Sequence, residues 1–166
     1  MATKKGYIVK IPFTSKTQKV QESWIDYNGH MNVGYYTFAF DKAIDEFLDL
    51  SLDVGPKFVK KSGQGSYALQ SQYRYLSELI IDTEFNISIF IADFTAKRMH
   101  LMLEMKSING SLRFATCETI LVNVDLKKRK SCEYPKRAKI KMERLYKASE
   151  SIRSQTQLGH PIGLKK

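Results

Sequence analysis

Asp26 and His30 stand four residues apart in the segment WIDYNGHMN, where they flank the pair Asn28-Gly29. An Asn-Gly pair is typical of a tight turn. A carboxylate held at such a turn can attack a carbonyl carbon or activate a water molecule. The segment therefore permits acyl-transfer chemistry, although an aspartate in a plain turn would explain it equally well.

A helical pattern begins directly after this segment. From Tyr35 onward apolar residues recur every three or four positions, and charged residues occupy the opposite face. Asn32 is a favourable N-cap, and the pattern ends near Leu50. The N-terminus of a helix offers unpaired N–H groups and the positive end of the helix dipole, which suit a developing oxyanion. The predicted helix therefore places an oxyanion-binding feature beside Asp26.

Alternating apolar and polar residues dominate the chain from residue 66 to residue 125. The linkers between the last three strands are short, and Asn109-Gly110 is a strong hairpin signal. The four long strands are therefore predicted to follow one another as an antiparallel meander. We expect a strand at 17–25, a loop at 53–66, and long strands at 66–76, 84–94, 98–108 and 113–125.

The C-terminal quarter carries the whole excess of positive charge. Residues 127–166 contain 13 Lys and Arg against 3 Asp and Glu, whereas residues 1–126 contain 14 of each kind. Such a segment favours a phosphate-bearing partner, or it simply keeps a solvated helix soluble. We predict a short helix at 136–150 and an extended tail that docks through the two apolar residues beside Gly163, Ile162 and Leu164.

These elements predict one domain of the α+β class over residues 1–166, with a core at about 17–130 and a basic extension at 131–166. One apolar helix and one sheet bury their apolar faces together when the antiparallel sheet wraps around the long central helix. Such a sheet leaves an edge strand open, and pairing between two copies would cover it. We therefore expect a homodimer or a homotetramer.

The composition, with 43% hydrophobic and 27% charged residues, is that of a soluble globular protein. The N-terminus has no apolar run long enough for a signal peptide, and no stretch is long enough for a membrane helix. We expect a cytoplasmic protein that neither enters a membrane nor uses a metal. Cys117 and Cys132 lack CxxC spacing, and the three histidines are scattered.

The stretch WIDYNGHMNVGYY, followed by FDKAIDEFL, resembles the hotdog-fold acyl-CoA thioesterases of the 4-hydroxybenzoyl-CoA thioesterase type. That family has an Asp-x-x-Gly-(His)-x-Asn segment before its central helix, and Asp26, Gly29, His30 and Asn32 match it. SYALQSQYRYLSEL, AKRMHLMLEM and ATCETILVNVDLKKRKS resemble the family's later strands. WIDYNGHM, KRMHL and LGHPIGL are most similar to its betainyl-CoA thioesterase branch.

This resemblance implies hydrolysis of an acyl-CoA thioester, with Asp26 as nucleophile or general base. Amides at the start of the central helix, or from a partner subunit, would polarise the thioester carbonyl. His30 and Asn32 would orient the reacting groups, and Gly29 and Tyr27 would contact the substrate. No cofactor is implied beyond the coenzyme A of the substrate itself.

The resemblance also places the site at a dimer interface, with the pantetheine arm entering between the subunits. Exposed cations should then bind the phosphates of coenzyme A. Lys97 and Arg98, at a predicted hairpin tip, are the first choice, and the run KKRK at 127–130 is the second.

Two other functions stay open. Hotdog hydratases also pair an Asp with a His, usually with a proline between them, but no proline separates Asp26 from His30. A non-catalytic module that binds nucleic acid through its basic tail would show salt-sensitive binding, yet no aromatic-interleaved basic strand supports it, and we expect no nucleic-acid partner.

Further polar and aromatic residues are weaker candidates for the site. Glu78 and His100 are polar residues in strand-like segments and are possible pocket groups. Four aromatic residues could form a cage for a trimethylammonium group, although core packing explains them as well. These four are Trp24, Tyr27, Tyr35 and Tyr36.

Overall fold

The computed structural model describes residues 12–164. The predictions that concern residues 1–11 and 165–166, including the expected absence of a signal peptide, lie outside the described residues. Within this range, seven strands form one antiparallel sheet. The strands are β1 (Phe13–Thr14), β2 (Gln18–Lys19), β3 (Gln64–Tyr75), β4 (Glu84–Phe94), β5 (Arg98–Ser107), β6 (Arg113–Asp125) and β7 (Lys130–Ser131).

The predicted central helix is confirmed as α1 (Val33–Phe47), which continues into a π-helical turn at Leu48–Leu52. Asn32 caps it, because its side-chain oxygen accepts a hydrogen bond of 2.9 Å from the Gly34 amide. The apolar face of α1 packs against the inner face of the sheet. That face of the helix comprises Tyr36, Ala39, Phe40, Ala43 and Phe47, all of them buried.

The long strands lie where the alternating pattern predicted them, but their order in the sheet differs from a meander. The order is β1-β4-β5-β6-β3, so β3 pairs with β6 at the far edge and only β4, β5 and β6 are joined by hairpins. Residues 76–83 therefore cross the end of the sheet instead of forming a hairpin. Leu79 in this crossing is fully buried in the main core.

Two other local predictions are wrong. Residues 17–25 hold only the short strand β2 and a 3-10 helix at Glu22–Trp24, because their loose alternation has no continuous partner strand. Within the predicted loop at 53–66 lies α2 (Pro56–Ser62). Pro56 at its first turn and Gly63 in a left-handed conformation at its end are the expected start and stop signals.

The basic C-terminal segment forms α3 (Lys136–Ala148) and α4 (Glu150–Gln155), which confirms the predicted helix. Tyr134, Ala138 and Met142 are buried within the main core. The packed core therefore continues past residue 130. None of the helices in residues 12–164 has the length and apolar character required to cross a membrane.

The tail after α4 lies across the outer face of the sheet, but not through the predicted residues. Leu158 packs on the cluster formed by Phe90 and Met102, and the Gly159 amide donates to the Glu118 carboxylate at 2.8 Å. Ile162 and Leu164 are 96% and 98% exposed, so the predicted docking through them is wrong. The apolar patch on the outer face is already covered by Leu158 and by Ile152 of α4.

Candidate active site

The segment from Ile25 to Met31 is a closed turn. Ile25 and Met31 form an isolated β-bridge, the Asp26 amide donates to the His30 carbonyl, and the Gly29 amide donates back to the Asp26 carbonyl, both at 3.0 Å. Gly29 has a φ of 80°, a left-handed conformation that favours glycine. The predicted Asn-Gly turn is therefore present, and it returns His30 to the side of Asp26.

Two neighbouring segments fix this turn in place. The Met31 amide donates to the Leu79 carbonyl at 2.7 Å, and the Asn32 amide donates to the Trp24 carbonyl at 2.8 Å. The first bond ties the turn to the crossing that follows β3, and the second ties the helix cap to the 3-10 helix. The position of Asp26 is thus set by backbone hydrogen bonds on both sides of the turn.

The Asp26 carboxylate is held by two neighbours. One oxygen, Oδ1, accepts a hydrogen bond of 2.8 Å from the Asn28 amide, and the other, Oδ2, lies 3.7 Å from His30 Nε2. The opposite ring nitrogen, His30 Nδ1, lies 3.6 Å from the Glu78 carboxylate. Only 14% of the Asp26 side chain is exposed. The imidazole therefore lies between a largely covered carboxylate and an exposed one.

These groups line a cleft of about 550 Å³, the Asp26 cleft. Its wall includes the ring pair Tyr36 and Tyr75, whose centroids are 5.1 Å apart in an edge-to-face arrangement. Tyrosine hydroxyls are protonated at neutral pH and can donate hydrogen bonds, and burial raises the pKa of both further. The lining residues are Asp26, Tyr27, His30, Met31, Asn32, Val33, Tyr36, Tyr75, Leu76, Ser77 and Glu78.

Sequence reasoning missed the contribution of Tyr75, Leu76 and Ser77 to the cleft. Tyr75 is the last paired residue of β3, and Leu76 and Ser77 follow it. They reach Asp26 only because β3 lies at the sheet edge beside β6. In the predicted meander β3 lies next to β4, and these residues would not reach Asp26.

The predicted aromatic cage is divided between separate contacts. Trp24 stacks on Tyr35 with ring centroids 5.3 Å apart, while Tyr36 packs on Tyr75. Tyr27 is 97% exposed at the rim of the cleft. Within residues 12–164 these rings therefore do not surround a common space.

The predicted phosphate-binding residues lie at the other end of the sheet, which we call the basic end. It comprises Lys97, Arg98 and the run 127–130. Arg98 pairs with Val122 and Val122 pairs with Tyr67, whereas the cleft lies at the Tyr75 end of the same strand. Eight residues of strand separate Tyr67 from Tyr75, a distance of about 25 Å.

His100 does not take part in the cleft. Its Nε2 atom lies 2.7 Å from Glu118 on the outer face of the sheet, where the same carboxylate also holds the tail. His100 therefore lies outside the Asp26 cleft, where it lines a small cavity beneath the tail, whereas Glu78 lines the Asp26 cleft.

Comparison with known proteins identifies the family. The model of the thioesterase-like superfamily matches residues 20–142. The L-carnitine dehydrogenase/betainyl-CoA thioesterase of Rhizobium meliloti is 24% identical over 149 residues, which cover 89% of this chain and 29% of that protein. This chain thus spans less than a third of that relative. The betainyl-CoA thioesterase of Pseudomonas aeruginosa is 23% identical over 91% of this chain and 94% of its own length.

Solved structures agree with the sequence comparison. A hypothetical protein from Staphylococcus aureus, solved in complex with CoA, superposes with a TM-score of 0.80 at 26% identity. The superposition covers 97% of this chain and 100% of the other. Because the family model also spans most of the chain, this chain belongs to the thioesterase-like superfamily and has the hotdog fold.

Proposed function

We propose that the chain hydrolyses an acyl-CoA thioester to a free acid and coenzyme A at the Asp26 cleft. The observation that carries this proposal is the placement of Asp26. A largely covered carboxylate faces a cleft at the N-terminus of the central helix, in a chain of the thioesterase-like superfamily. The relatives that are named as thioesterases and the neighbour solved with CoA support the same substrate class.

Asp26 would supply the reactive oxygen. It either attacks the thioester carbon and forms an anhydride that water opens, or it takes a proton from the water that attacks. The Asn28 amide fixes one oxygen of the carboxylate and leaves Oδ2 directed toward His30. Both routes need an oxygen of this carboxylate beside the thioester carbon, and His30 would orient it.

The amide of Val33 is our choice for the oxyanion donor within the chain. Of the first three amides of α1, those of Gly34 and Tyr35 already donate to the side chain and carbonyl of Asn32. Val33 is the first residue of the helix and lines the Asp26 cleft. A thioester oxygen there would also meet the positive end of the helix dipole. Asn32 would thus act by fixing the helix start.

The phosphates of coenzyme A require cations that the Asp26 cleft lacks. Among the described residues that line it there are two carboxylates and neither a lysine nor an arginine. The basic end lies about 25 Å away along the strands of the same chain. We therefore infer that the cations come from a second copy of the chain.

The edge strand β3 supplies the geometry for that second copy. Residues 67–71 are exposed, and within residues 12–164 β3 pairs only with β6. Antiparallel pairing of β3 with its counterpart about a two-fold axis would bring the partner's Tyr67 end to the Tyr75 end of this chain. In the partner, β6 and β5 follow β3 at about 4.8 Å per strand, so the partner's basic end would lie three strand spacings, or about 15 Å, from the cleft. An extended coenzyme A could span this distance.

Exposed apolar side chains along this edge support the same pairing. Large apolar residues of α1, of β3 and directly after β3 are exposed in the single chain and would be covered by a second copy. They are Val33, Phe38, Tyr67, Leu69, Tyr75 and Leu76. Within the basic end, Arg129 is the best placed, because its guanidinium lies 3.3 Å from the hydroxyl of Tyr67 on the edge strand.

Steady-state release of coenzyme A tests the activity. The wild-type chain is assayed with short, medium, aromatic and betainyl thioesters, and the free thiol is followed. We expect turnover of at least one of these thioesters. No release from any of them, by a chain that is folded and elutes as a dimer, would contradict the proposed activity.

Subunit complementation tests the shared site. Asp26→Asn removes the reactive carboxylate, and the double variant Lys97→Glu/Arg98→Glu removes cations from the basic end. A hybrid dimer of the two contains one intact site. At a thioester concentration well below KM, an equal mixture that has exchanged subunits should therefore recover about a quarter of the wild-type activity. If cleft and cations belonged to the same chain, every site in the mixture would stay impaired.

A further inference from the structure

The C-terminal tail crosses the outer face of the sheet from one strand to the next. Leu158 packs on the apolar cluster formed by β4 and β5. The Gly159 amide then donates to Glu118 of β6 at 2.8 Å. The His160 carbonyl accepts a hydrogen bond from the Gln72 side chain of β3. Successive tail residues therefore meet successive strands, and the last of these strands, β3, lies at the edge of the sheet.

Beyond His160 the tail carries two large apolar side chains that lie in solvent, Ile162 and Leu164. In the described part of the chain, the bond from Gln72 is the last hydrogen bond that joins the tail to the sheet. An extended chain rises about 3.3 Å per residue, and neighbouring strands lie about 4.8 Å apart. The four residues after His160 are therefore long enough to pass over the first two strands of a second copy paired with β3.

The edge strand has an exposed aromatic ring on the same outer face. Ile120 of β6 lines the small cavity beneath the tail, so its side chain lies on that face. Val122 follows at the two-residue interval that returns to the same face, and Tyr67 pairs with Val122. Because residues that pair across two strands share a face, the exposed ring of Tyr67 also lies on the outer face.

Pairing of β3 with its counterpart would bring the tail of one copy to this tyrosine of the other. The exposed residues 67–71 centre on Leu69, and the tail crosses β3 at Gln72. With the two-fold axis at Leu69, the partner's Ser66 lies opposite Gln72, and the partner's Tyr67 is its neighbour. Within one chain, Gln72 and Tyr67 are separated by about 15 Å of strand. The tail would therefore lie nearer to the partner's tyrosine than to its own.

We propose that residues 161–164 are an arm that holds the second copy, with Ile162 and Leu164 packed against the partner's Tyr67. The two-fold axis gives each dimer two such arms. Apolar surface that lies in water in the single chain is thereby buried, and its burial stabilises the pair. The inference rests on the dimer of the proposed function, and it gives the tail a part in keeping the cleft and the cations together.

Charged residues on the arm test its contribution to the dimer. Ile162→Asp/Leu164→Asp should raise the dimer Kd at least about tenfold in sedimentation over a range of concentrations, because two apolar contacts are lost. The circular dichroism spectrum should stay that of the wild type, since both side chains are exposed in the single chain. The matched control, Ile108→Asp/Leu112→Asp, changes an exposed Ile and an exposed Leu between β5 and β6 and should leave Kd within about twofold. A dimer whose Kd the arm variant leaves unchanged overturns the proposal.

Cysteines placed at the proposed contact test which residues meet. Chains with Ile162→Cys are mixed with chains with Tyr67→Cys, both in a Cys132→Ser background, and subunits exchange before mild oxidation. A covalent dimer that contains one chain of each kind should form. Tyr67→Cys alone should not give one, since the two Tyr67 positions would lie about 14 Å apart along the paired strands. The lack of a mixed covalent dimer, from chains that do associate, contradicts the contact.

The outcomes separate the arm from the proposed function. A wild type that stays monomeric at every concentration would overturn both the shared site and the arm. A dimer that releases no coenzyme A from any thioester would contradict only the activity, and sedimentation and disulfide formation would still test the arm. Where the wild type is active, activity per chain of the arm variant should fall on dilution and recover at high concentration, as a site shared by two copies requires.

Discussion

The two ends of the sheet differ in how far their charged groups are exposed. At the Asp26 cleft, Asp26 and His30 are carried by a turn that backbone hydrogen bonds fix to the segments on either side. At the basic end, Lys97 and Arg98 stand on an exposed hairpin tip. Backbone hydrogen bonds hold that tip as well, because the Asn123 amide donates to the Lys97 carbonyl at 2.9 Å. The two ends therefore differ in exposure: the reactive carboxylate is largely covered, whereas the cations lie in solvent.

This difference matches what each end is proposed to do. Bond breaking depends on placement, because a shift of about 1 Å in a reacting group can cost about a hundredfold in rate. Attraction of a phosphate depends on the sum of nearby charges and tolerates flexible side chains. We therefore expect substitutions at the Asp26 cleft to act mainly on kcat, and substitutions at the basic end to act mainly on KM.

After Asp26 itself, the largest effect in this comparison is expected for His30→Ala. Loss of the imidazole next to Asp26 should lower kcat about a hundredfold, because the reactive carboxylate loses the group that orients it. His100→Ala is the matched control, since His100 pairs with Glu118 on the outer face, and it should keep the wild-type kcat. Equal losses in the two variants would mean that His30 acts only on folding.

A charge reversal at the basic end should have a smaller effect of a different kind. Arg129→Glu is expected to raise KM about tenfold and to leave kcat within about twofold, because a phosphate contact is lost while the chemistry is retained. Added salt should reduce the difference from the wild type. Lys147→Glu, on α3, is the control and should leave KM unchanged. A fall in kcat instead of a rise in KM would contradict the division between the two ends.

Removal of the helix cap tests how firmly the cleft is built. Asn32→Ala deletes the acceptor for the Gly34 amide and should lower the free energy of unfolding by about 1 kcal/mol in denaturant titration. Asn32→Asp retains an acceptor oxygen and should stay close to the wild type. If both variants lost activity while keeping their stability, Asn32 would take part in the chemistry itself.

The two thiols should differ in reactivity in the native protein. Burial raises the pKa of Cys117 to about 12, so its thiol is protonated as well as covered. Cys132, close to the basic end, is partly exposed, and burial raises its pKa as well. At about pH 8 an alkylating reagent should modify Cys132 slowly and Cys117 only after unfolding, as mass spectrometry of peptides would show. Modification of Cys117 before unfolding would contradict its burial on the inner face of β6.

Local patterns predicted the elements of the fold well. The helical spacing of α1, its Asn32 cap and the alternation within β4 and β6 are properties of neighbouring residues, and the structure confirms them. The Asn-Gly turn that joins Asp26 to His30 is also local. These features depend on interactions over a few residues, which a single sequence displays directly.

The features that sequence reasoning missed depend on contacts between distant segments. Three such features involve residues about fifty positions apart in the chain. They are the pairing of β3 with β6, the packing of Leu79 in the core beside Met31, and the approach of Glu78 to His30. Hairpin signals report which strands are adjacent in the chain, and β3 is followed by a crossing instead of a hairpin. The location of the basic end, far from the cleft in one chain, follows from the same pairing.

Coenzyme A release by Asp26→Asn tests the central claim most directly. An asparagine oxygen can still accept the Asn28 amide, so the turn should persist while the reactive carboxylate is lost. The matched control is Asp125→Asn at the opposite end of the sheet, where Asp125 accepts from the amides of Lys127 and Lys128 in a similar turn. On the best thioester of the panel, kcat should fall by at least about a hundredfold in Asp26→Asn and stay near the wild type in Asp125→Asn. Equal kcat values for Asp26→Asn and the wild type would remove Asp26 from the chemistry and contradict the account.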